Sequence, residues 1–384
     1  MNNLSPLIVL LLGLISKTHA YEWNQLTENG VVYKTAIQKN HKPDNQLTFS
    51  DLDITEKKLT SSETNKKFPA LNSPNTIVIL GDTGCRIKEG KFGSEYQDCN
   101  DTNAWPLVKI VEAAGREKPD LLIHLGDYHY REQCKPGSPC AKMTPVVGYG
   151  WKPWELDFFL PMQKLLEKTP IIITRGNHEE CSRAYLGYKA LLASYAWDKE
   201  CIDYEAPQII ILANTAIINF DSSSISDIPL GSDEAIWVKR FDDIYEKVAK
   251  LKVKNVWLIT HKPLYGIVPF RFTFAPINMN LRNFFEKSLL KDKVTEIFSG
   301  HIHTSMIVKS KKYATQIVLG NSGTSLTDFK APITKSSLSS MGYENATLAD
   351  AGFGYALLKK NSDESWTIIF KDSNGKEKYQ EKLR

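Results

Sequence analysis

Cysteine is sparse in this chain of 384 residues, six in all, and no two of them stand in a CxxC pair. That absence excludes the common zinc-cysteine sites, whose ligands come in closely spaced couples. No block of lysine or arginine occurs either. The 48 basic residues are spread among 44 acidic ones, for a formal net charge of +4 and a sequence pI of about 8.5. A charge so dispersed implies neither a nucleic-acid nor an anionic-membrane partner. Internal repeats and low-complexity tracts are missing, which excludes repeat architectures. The apolar run from Leu7 to Ile15 is too short to span a bilayer.

What is present is an ordinary globular composition, 42% hydrophobic and 24% charged, enough for a large core in one large domain or two small ones. Residues 1–20 have a short polar start, the apolar run, and Thr18-His19-Ala20 as a small-residue exit. They read as a signal peptide removed before Tyr21, although the start carries no Lys or Arg; an uncleaved tethering helix is the alternative. Export, periplasmic or secreted, is the expectation, with no membrane partner once the signal is gone. Six is an even number, as expected of disulfides in an oxidising compartment. Neighbours are the natural partners. Cys134 and Cys140 flank Lys-Pro-Gly-Ser-Pro, while Cys85 with Cys99 and Cys181 with Cys201 would each tie a loop. Six cysteines allow 15 connectivities, and free buried thiols are the alternative.

From about Thr76 onward, short β-branched runs alternate with helical patterns, which predicts an α/β architecture. The runs are Thr76–Leu80, Leu121–Leu125, Ile171–Thr174, Ile209–Leu212, Val256–Thr260, Thr295–Phe298 and Ile317–Leu319. Most are apolar on both faces and read as central strands. Three-and-four spacing of apolar residues predicts helices over 103–117, 153–168, 234–251 and 279–290. Residues 21–72 are polar and read as an N-terminal arm laid over a domain spanning 73–384. Tyr355–Lys359 and Trp366–Lys371, separated by Asn361-Ser362-Asp363, read as a closing hairpin. The loops 131–152 and 262–278, rich in Pro, Gly and aromatics, are placed to shape access to a site.

Five short blocks end β-like runs: GDTG at 81–84, GDYHY at 126–130, GNHE at 176–179, the run ending in His261, and GHIH at 300–303. One Gly-Asp or Gly-Asn pair is an ordinary turn former. Five in sequence are a pattern. Past residue 20 the chain holds seven histidines, and His124, His129, His178, His261, His301 and His303 sit inside or beside these blocks; only His41 does not. Histidine is the commonest metal ligand. A phosphoesterase with two cations needs a carboxylate that bridges them and further ligands on each side, held where strands end and glycine lets the backbone turn close to the ions.

The set GDxG, GDxxY, GNH(E/D), a strand-terminal His and GHxH resembles that of purple acid phosphatases within the calcineurin-like metallophosphoesterase superfamily. It covers residues 80 to 325. Many metallophosphoesterases carry a histidine two after the first aspartate; here that place is Gly84, and Tyr130 stands three after the second aspartate. The fourth block departs from the family by having Leu258 where a valine is usual, and the loop after Tyr130, with Arg131 and Glu132, differs from the small mammalian-type enzymes.

The resemblance implies a four-layer αββα sandwich of two mixed sheets flanked by helices. It also implies that Asp82, Asp127, Tyr130 and His303 bind one ion, with Asp127 bridging, and that Asn177, His261 and His301 complete the other. A trivalent iron suits carboxylate and phenolate oxygens. Its partner would be Fe2+, Zn2+ or Mn2+. Such a centre keeps a net positive field that attracts an anionic, small phosphorylated substrate. The implied reaction is hydrolysis of phosphate monoesters by attack of a metal-bound hydroxide, with His178 as acid and Asp127 as the bridging catalytic carboxylate. The alternative is a phosphodiesterase or nucleotide pyrophosphatase with the same centre. A further one is an interaction protein that keeps the scaffold without turnover.

Blander readings stand beside these. His178 could only orient Asn177 or a carboxylate such as Glu179. His124 reads as a hydrogen-bonded core residue; His129 and Tyr128 stay open between core and substrate contact. Tyr149, Trp151 and Trp154 form either a substrate wall or packing that anchors their loop. Asn100-Asp101-Thr102 and Asn345-Ala346-Thr347 match glycosylation acceptors. The oligomeric state is left open.

Overall fold

The computed structural model describes residues 20–39, 47–90, 93–135, 137–144, 146–196, 199–226, 234–271, 273–310, 312–329 and 335–383. Residues 1–19, which hold most of the expected signal peptide, and His41 lie outside them. In chain order the strands begin with β1 (Ala20–Thr27), β2 (Gly30–Gln38), β3 (Leu52–Lys58), β4 (Thr76–Leu80), β5 (Ile87–Gly90), β6 (Gly93–Tyr96), β7 (Leu121–His124) and β8 (Ile171–Ile173). They continue with β9 (Gln208–Leu212), β10 (Thr215–Phe220), β11 (Asn255–Thr260), β12 (Ile267–Phe270), β13 (Thr273–Pro276) and β14 (Glu296–Ser299). Last come β15 (Ser305–Ser310), β16 (Thr315–Leu319), β17 (Tyr343–Asp350), β18 (Gly354–Lys360), β19 (Trp366–Asp372) and β20 (Glu377–Lys382).

Two mixed sheets result. The nine-stranded sheet runs β20-β19-β18-β4-β7-β8-β1-β2-β3, and the seven-stranded sheet β17-β15-β16-β14-β11-β10-β9. Alternation along the central strands explains the layering, because successive side chains point to opposite faces. In β4, Ile77 and Ile79 turn inward to the other sheet while Val78 and Leu80 meet helices. Trp257 joins the sheets, its ring 5.3 Å from both Phe298 and Trp366. Outside the first sheet lie Leu107–Arg116 and the helical stretch 151–166; outside the second lie Glu234–Val248 and Met279–Lys287. The architecture is therefore the four-layer αββα sandwich.

Three readings of the sequence change. The segment 21–72 is not an arm: β1, β2 and β3 extend the nine-stranded sheet, β1 pairing in parallel with β8 and joined to β2 by a tight turn at Glu28-Asn29. Its strands were hidden because polar Asn24, Gln25 and Lys34 are buried in them. Ile209–Leu212 is an edge strand, not a central one, with Ile211 51% exposed. Finally, the 153–168 helix starts at Trp151 and contains a wide turn at Glu155–Phe159, where the Leu160 N–H reaches back to the Glu155 carbonyl. The closing hairpin forms as β18 and β19. All three cysteine pairs are the sequence neighbours, Cys85–Cys99, Cys134–Cys140 and Cys181–Cys201. No helix among the described residues is long and apolar enough to cross a membrane.

Candidate metal centre

Each block follows a strand whose C-terminal end points to the same edge of the sandwich, since β4, β7 and β8 are parallel in one sheet and β11 and β14 in the other. Asp82 follows β4, Asp127 follows β7, Asn177 follows β8, His261 follows β11, and His301 and His303 follow β14. Asp82, Asp127 and His301 have φ of 56°, 57° and 69°. Left-handed backbone costs a non-glycine residue roughly 1–3 kcal/mol, and it persists where the surroundings over-determine it. The strain turns three candidate ligand side chains off their strands into one space.

Glycine has a definite task at two positions. Gly126 has φ +95°, and a Cβ there would meet His261 Nδ1 at 2.8 Å and the Gly176 backbone at 2.9 Å. A Cβ on Gly84 would lie 2.8 Å from Tyr128 O and Tyr130 N and 2.9 Å from Asp157 Oδ2. The place where a histidine would otherwise stand is thus filled by the backbone that carries Tyr130.

The seven candidates converge on two adjoining nodes. At the first, Tyr130 Oη lies 3.0 Å from Asp82 Oδ1, 2.8 Å from Asp127 Oδ2 and 3.1 Å from His303 Nε2. At the second, Asn177 Oδ1 is 3.0 Å from His261 Nε2 and 2.7 Å from His301 Nδ1. Asp127 Oδ2 joins them, 3.2 Å from His261 Nε2. Ligand atoms of Asp127, His261 and His301 all lie within 4.8 Å of one another.

Electrostatics inside this group are those of a cation site. Burial pushes the Asp82 carboxyl well above the carboxylate range, helped by the Asp127 charge. Burial also acts on Asp127, but the charges of His261 and His178 outweigh it and hold that carboxyl low. Burial and mutual repulsion thus drive the two carboxyls of the pair in opposite directions. His261, against burial, is pulled up to about 9 by Asp127. His303 is pushed down to about 3 and His301 well below its ordinary value, burial leading in both. Buried carboxylates require neutralisation, and neutral imidazoles, an amide and carboxylate oxygens are suitable donors for divalent or trivalent ions. The donor set fits two cations.

Two buried carboxylates hold the blocks in place. Glu179 accepts from the backbone N–H groups of Asp127, Tyr128, His129 and Gly176 at 3.0, 2.9, 3.3 and 3.1 Å, fastening the second block to the third. Asp157 accepts from the backbone of Cys85, Tyr130 and Arg131 at 3.1, 2.8 and 3.1 Å and from Arg131 Nε at 2.6 Å. The wide turn at 155–159 is what brings it there, and such turns recur at functional sites. Asp157→Asn should lower stability by about 3 kcal/mol in urea unfolding, because the amide turns donors onto donors and leaves Arg131 unpaired. A loss under 1 kcal/mol would refute this.

His178 lies over the Tyr130 ring, centroids 3.9 Å apart, with Nε2 3.8 Å from Asp127 Oδ2 and Nδ1 3.1 Å from the His129 carbonyl. Burial, with Arg183 assisting, pushes it down to about 4. Glu132, Arg183 and Arg86 surround it. His124 is a core residue, stacked on Tyr128 at 4.0 Å and bonded to Thr83 Oγ1 at 3.0 Å. His129 bonds the Gly148 carbonyl at 2.8 Å and packs on Tyr149 and Trp154. Trp151 and Trp154 are buried in packing rather than walling a cleft. Asp157, Arg183 and Arg86 escaped the sequence reading, although Arg86 directly follows the first disulfide cysteine and Arg183 lies five residues after His178.

The family model described as calcineurin-like phosphoesterase matches residues 75–305. An Arabidopsis thaliana protein, "Probable inactive purple acid phosphatase 9", is 23% identical over 255 residues, covering 60% of this chain and 36% of its own length. The purple acid phosphatase PPD1 from yellow lupin (Lupinus luteus) seeds shares the fold with a TM-score of 0.52 at 15% identity, over 91% of this chain and 59% of that one. This chain thus spans little more than a third of the Arabidopsis protein and three fifths of the lupin one.

Proposed function

The chain belongs to the calcineurin-like phosphoesterase family, and we propose that it is an exported acid phosphatase that hydrolyses phosphate monoesters at a dinuclear centre. The observation that carries this reading is Tyr130 Oη within 3.1 Å of two carboxylates and an imidazole. A phenol so placed suits a ferric ion, with Fe2+, Zn2+ or Mn2+ held by Asn177, His261 and His301. When bound, such a pair supplies a nucleophile at low pH and neutralises phosphate charge.

The chain's own residues do the rest. Asp127 reaches both nodes and fixes their spacing, while the His178 backbone N–H donates to Asp127 Oδ1 at 2.8 Å. That bond ties the position of the His178 ring to the bridging carboxylate. The ring lies over Tyr130, and only its cationic form, reached in acid because the group is lowered to about 4, carries the Nε2 proton that it donates to the phosphoryl or leaving-group oxygen. Glu132 Oε1, 3.2 Å from His178 Nδ1, keeps the ring turned that way. Three disulfides support export to an oxidising compartment.

The scaffold-only reading draws on the name of the Arabidopsis relative, but here all seven ligand candidates are present and converge. Elemental analysis and a visible spectrum of the native protein, with rates on a monoester and its diester, test the proposal. Expected are about two metal ions including iron, a visible band, and faster monoester hydrolysis. Less than one ion per chain, or a preference for the diester, would overturn it.

A further inference from the structure

On the outer face of the nine-stranded sheet, apart from the metal centre, a hollow of about 440 Å3 opens between the helix Leu107–Arg116 and the stretch 151–166. None of the seven metal-ligand candidates lines it. Pockets of roughly 300–1,000 Å3 are the size that small organic ligands fill. Val108 on one element and Leu160 on the other both line the hollow, and they stay 41% and 47% exposed. Apolar side chains that remain wet within one concave wall mark a binding surface.

A polar anchor lies in the same wall. Arg131, Trp105 and Thr144 line the hollow together, although Arg131 is only 4% exposed. The guanidinium carbon sits 5.2 Å from the Trp105 ring centre, with Nε donating to Asp157 Oδ1 at 2.6 Å and Nη1 to Thr144 Oγ1 at 2.7 Å. Nη2 makes no hydrogen bond among the described residues. Asp157 answers the guanidinium only from the Nε side, and its oxygens also accept from three backbone N–H groups. A nearly buried arginine with open N–H donors calls for an acceptor, and an anionic one makes the stronger bond. The rest of the lining favours an anion too. Lys164 and Glu112 stand exposed in it, so with Arg131 it holds two cations against one carboxylate.

We propose that this hollow is a binding site for a small apolar carboxylate, with the carboxylate on Arg131 Nη2 and the hydrocarbon body against Val108 and Leu160. An inorganic anion would leave the apolar wall wet, and an uncharged hydrocarbon would leave Nη2 without an acceptor. The assignment stands apart from the phosphatase reading, since it uses none of the metal-ligand candidates.

Equilibrium dialysis of the metal-loaded protein against octanoate and octanol tests it. Octanoate should bind once per chain and about ten- to a hundredfold more tightly than octanol, the range of a charged hydrogen bond. Saturating inorganic phosphate should leave that affinity unchanged. Leu160→Asp, a change at an exposed position, removes apolar wall and adds a like charge, and should weaken octanoate about tenfold or more. Arg131→Lys keeps a cation opposite Asp157 but loses the fork, so it should weaken octanoate and leave octanol as it was. Equal affinity for octanoate and octanol overturns the carboxylate assignment. Displacement of octanoate by phosphate places it at the metal centre and overturns the site, as does undiminished binding in Leu160→Asp. Failure of both octanoate and 4-phenylbutyrate to bind up to their solubility limits overturns the proposal as a whole, and leaves the phosphatase reading untouched.

Discussion

Tyr130→Phe should bleach the visible absorption, lower the iron content and reduce monoester hydrolysis by at least about a hundredfold. Loss of an interaction that only supports a metal ligand already costs 10–100-fold in affinity or activity, and this change removes a ligand candidate itself. The phenol oxygen is the only atom deleted, and it is the atom nearest to Asp82, Asp127 and His303 together. The ring keeps its place, packed under His178 and Arg86, so unfolding temperature should change little at a fixed metal content. That separation makes the variant informative. Retained colour with full turnover would show that position 130 binds no ion, while lost turnover with unchanged iron would point to a role in positioning His178 instead.

The blocks were legible because local rules coincide there: an apolar run, a glycine, then a ligand-type side chain. Gly84 and Tyr130 could be paired from sequence, yet the reason, a Cβ at 84 colliding with the backbone of 130, needs the tertiary path. Asp157 was hidden for a related cause. It lies in the segment read as a helix, but only a wide turn at 155–159 carries it to Cys85 and Tyr130. Arg86 and Arg183 belong to no block, so nothing local marks them. The β1–β3 region shows the opposite failure, a sheet obscured by buried polar residues such as Asn24 and Lys34. Edge position is invisible in the same way: Ile209–Leu212 is as apolar as a central strand, and what it lacks among the described residues is a second neighbouring strand, which its own residues do not encode.

Stripping the cations should make the folded state increasingly pH-sensitive above neutrality. Burial and the Asp127 charge push Glu179 up to about 8, and Asp82 is likewise raised by burial; His261 is raised to about 9 by Asp127 against burial. A group whose folded pKa exceeds its unfolded value contributes stability below the unfolded pKa and loses it as pH climbs through the folded one. Glu179 therefore loses its contribution up to about pH 8 and His261 between pH 6.5 and about 9, and Asp82 acts with the same sign. His178 and His303, lowered to about 4 and about 3, act oppositely, but only below their unfolded value near 6.5. Each displaced pK unit is about 1.4 kcal/mol, so a chelated sample should lose a few kcal/mol across that window, roughly 4–6 °C in Tm for a chain of this size. Bound cations neutralise Asp82 and Asp127, and with them the repulsion felt by Glu179, so the loaded protein should show a nearly flat profile. Calorimetric melts of chelated and metal-loaded samples with disulfides intact would decide it: parallel curves from pH 6.5 to 9 would mean that these buried carboxyls do not rely on metal charge.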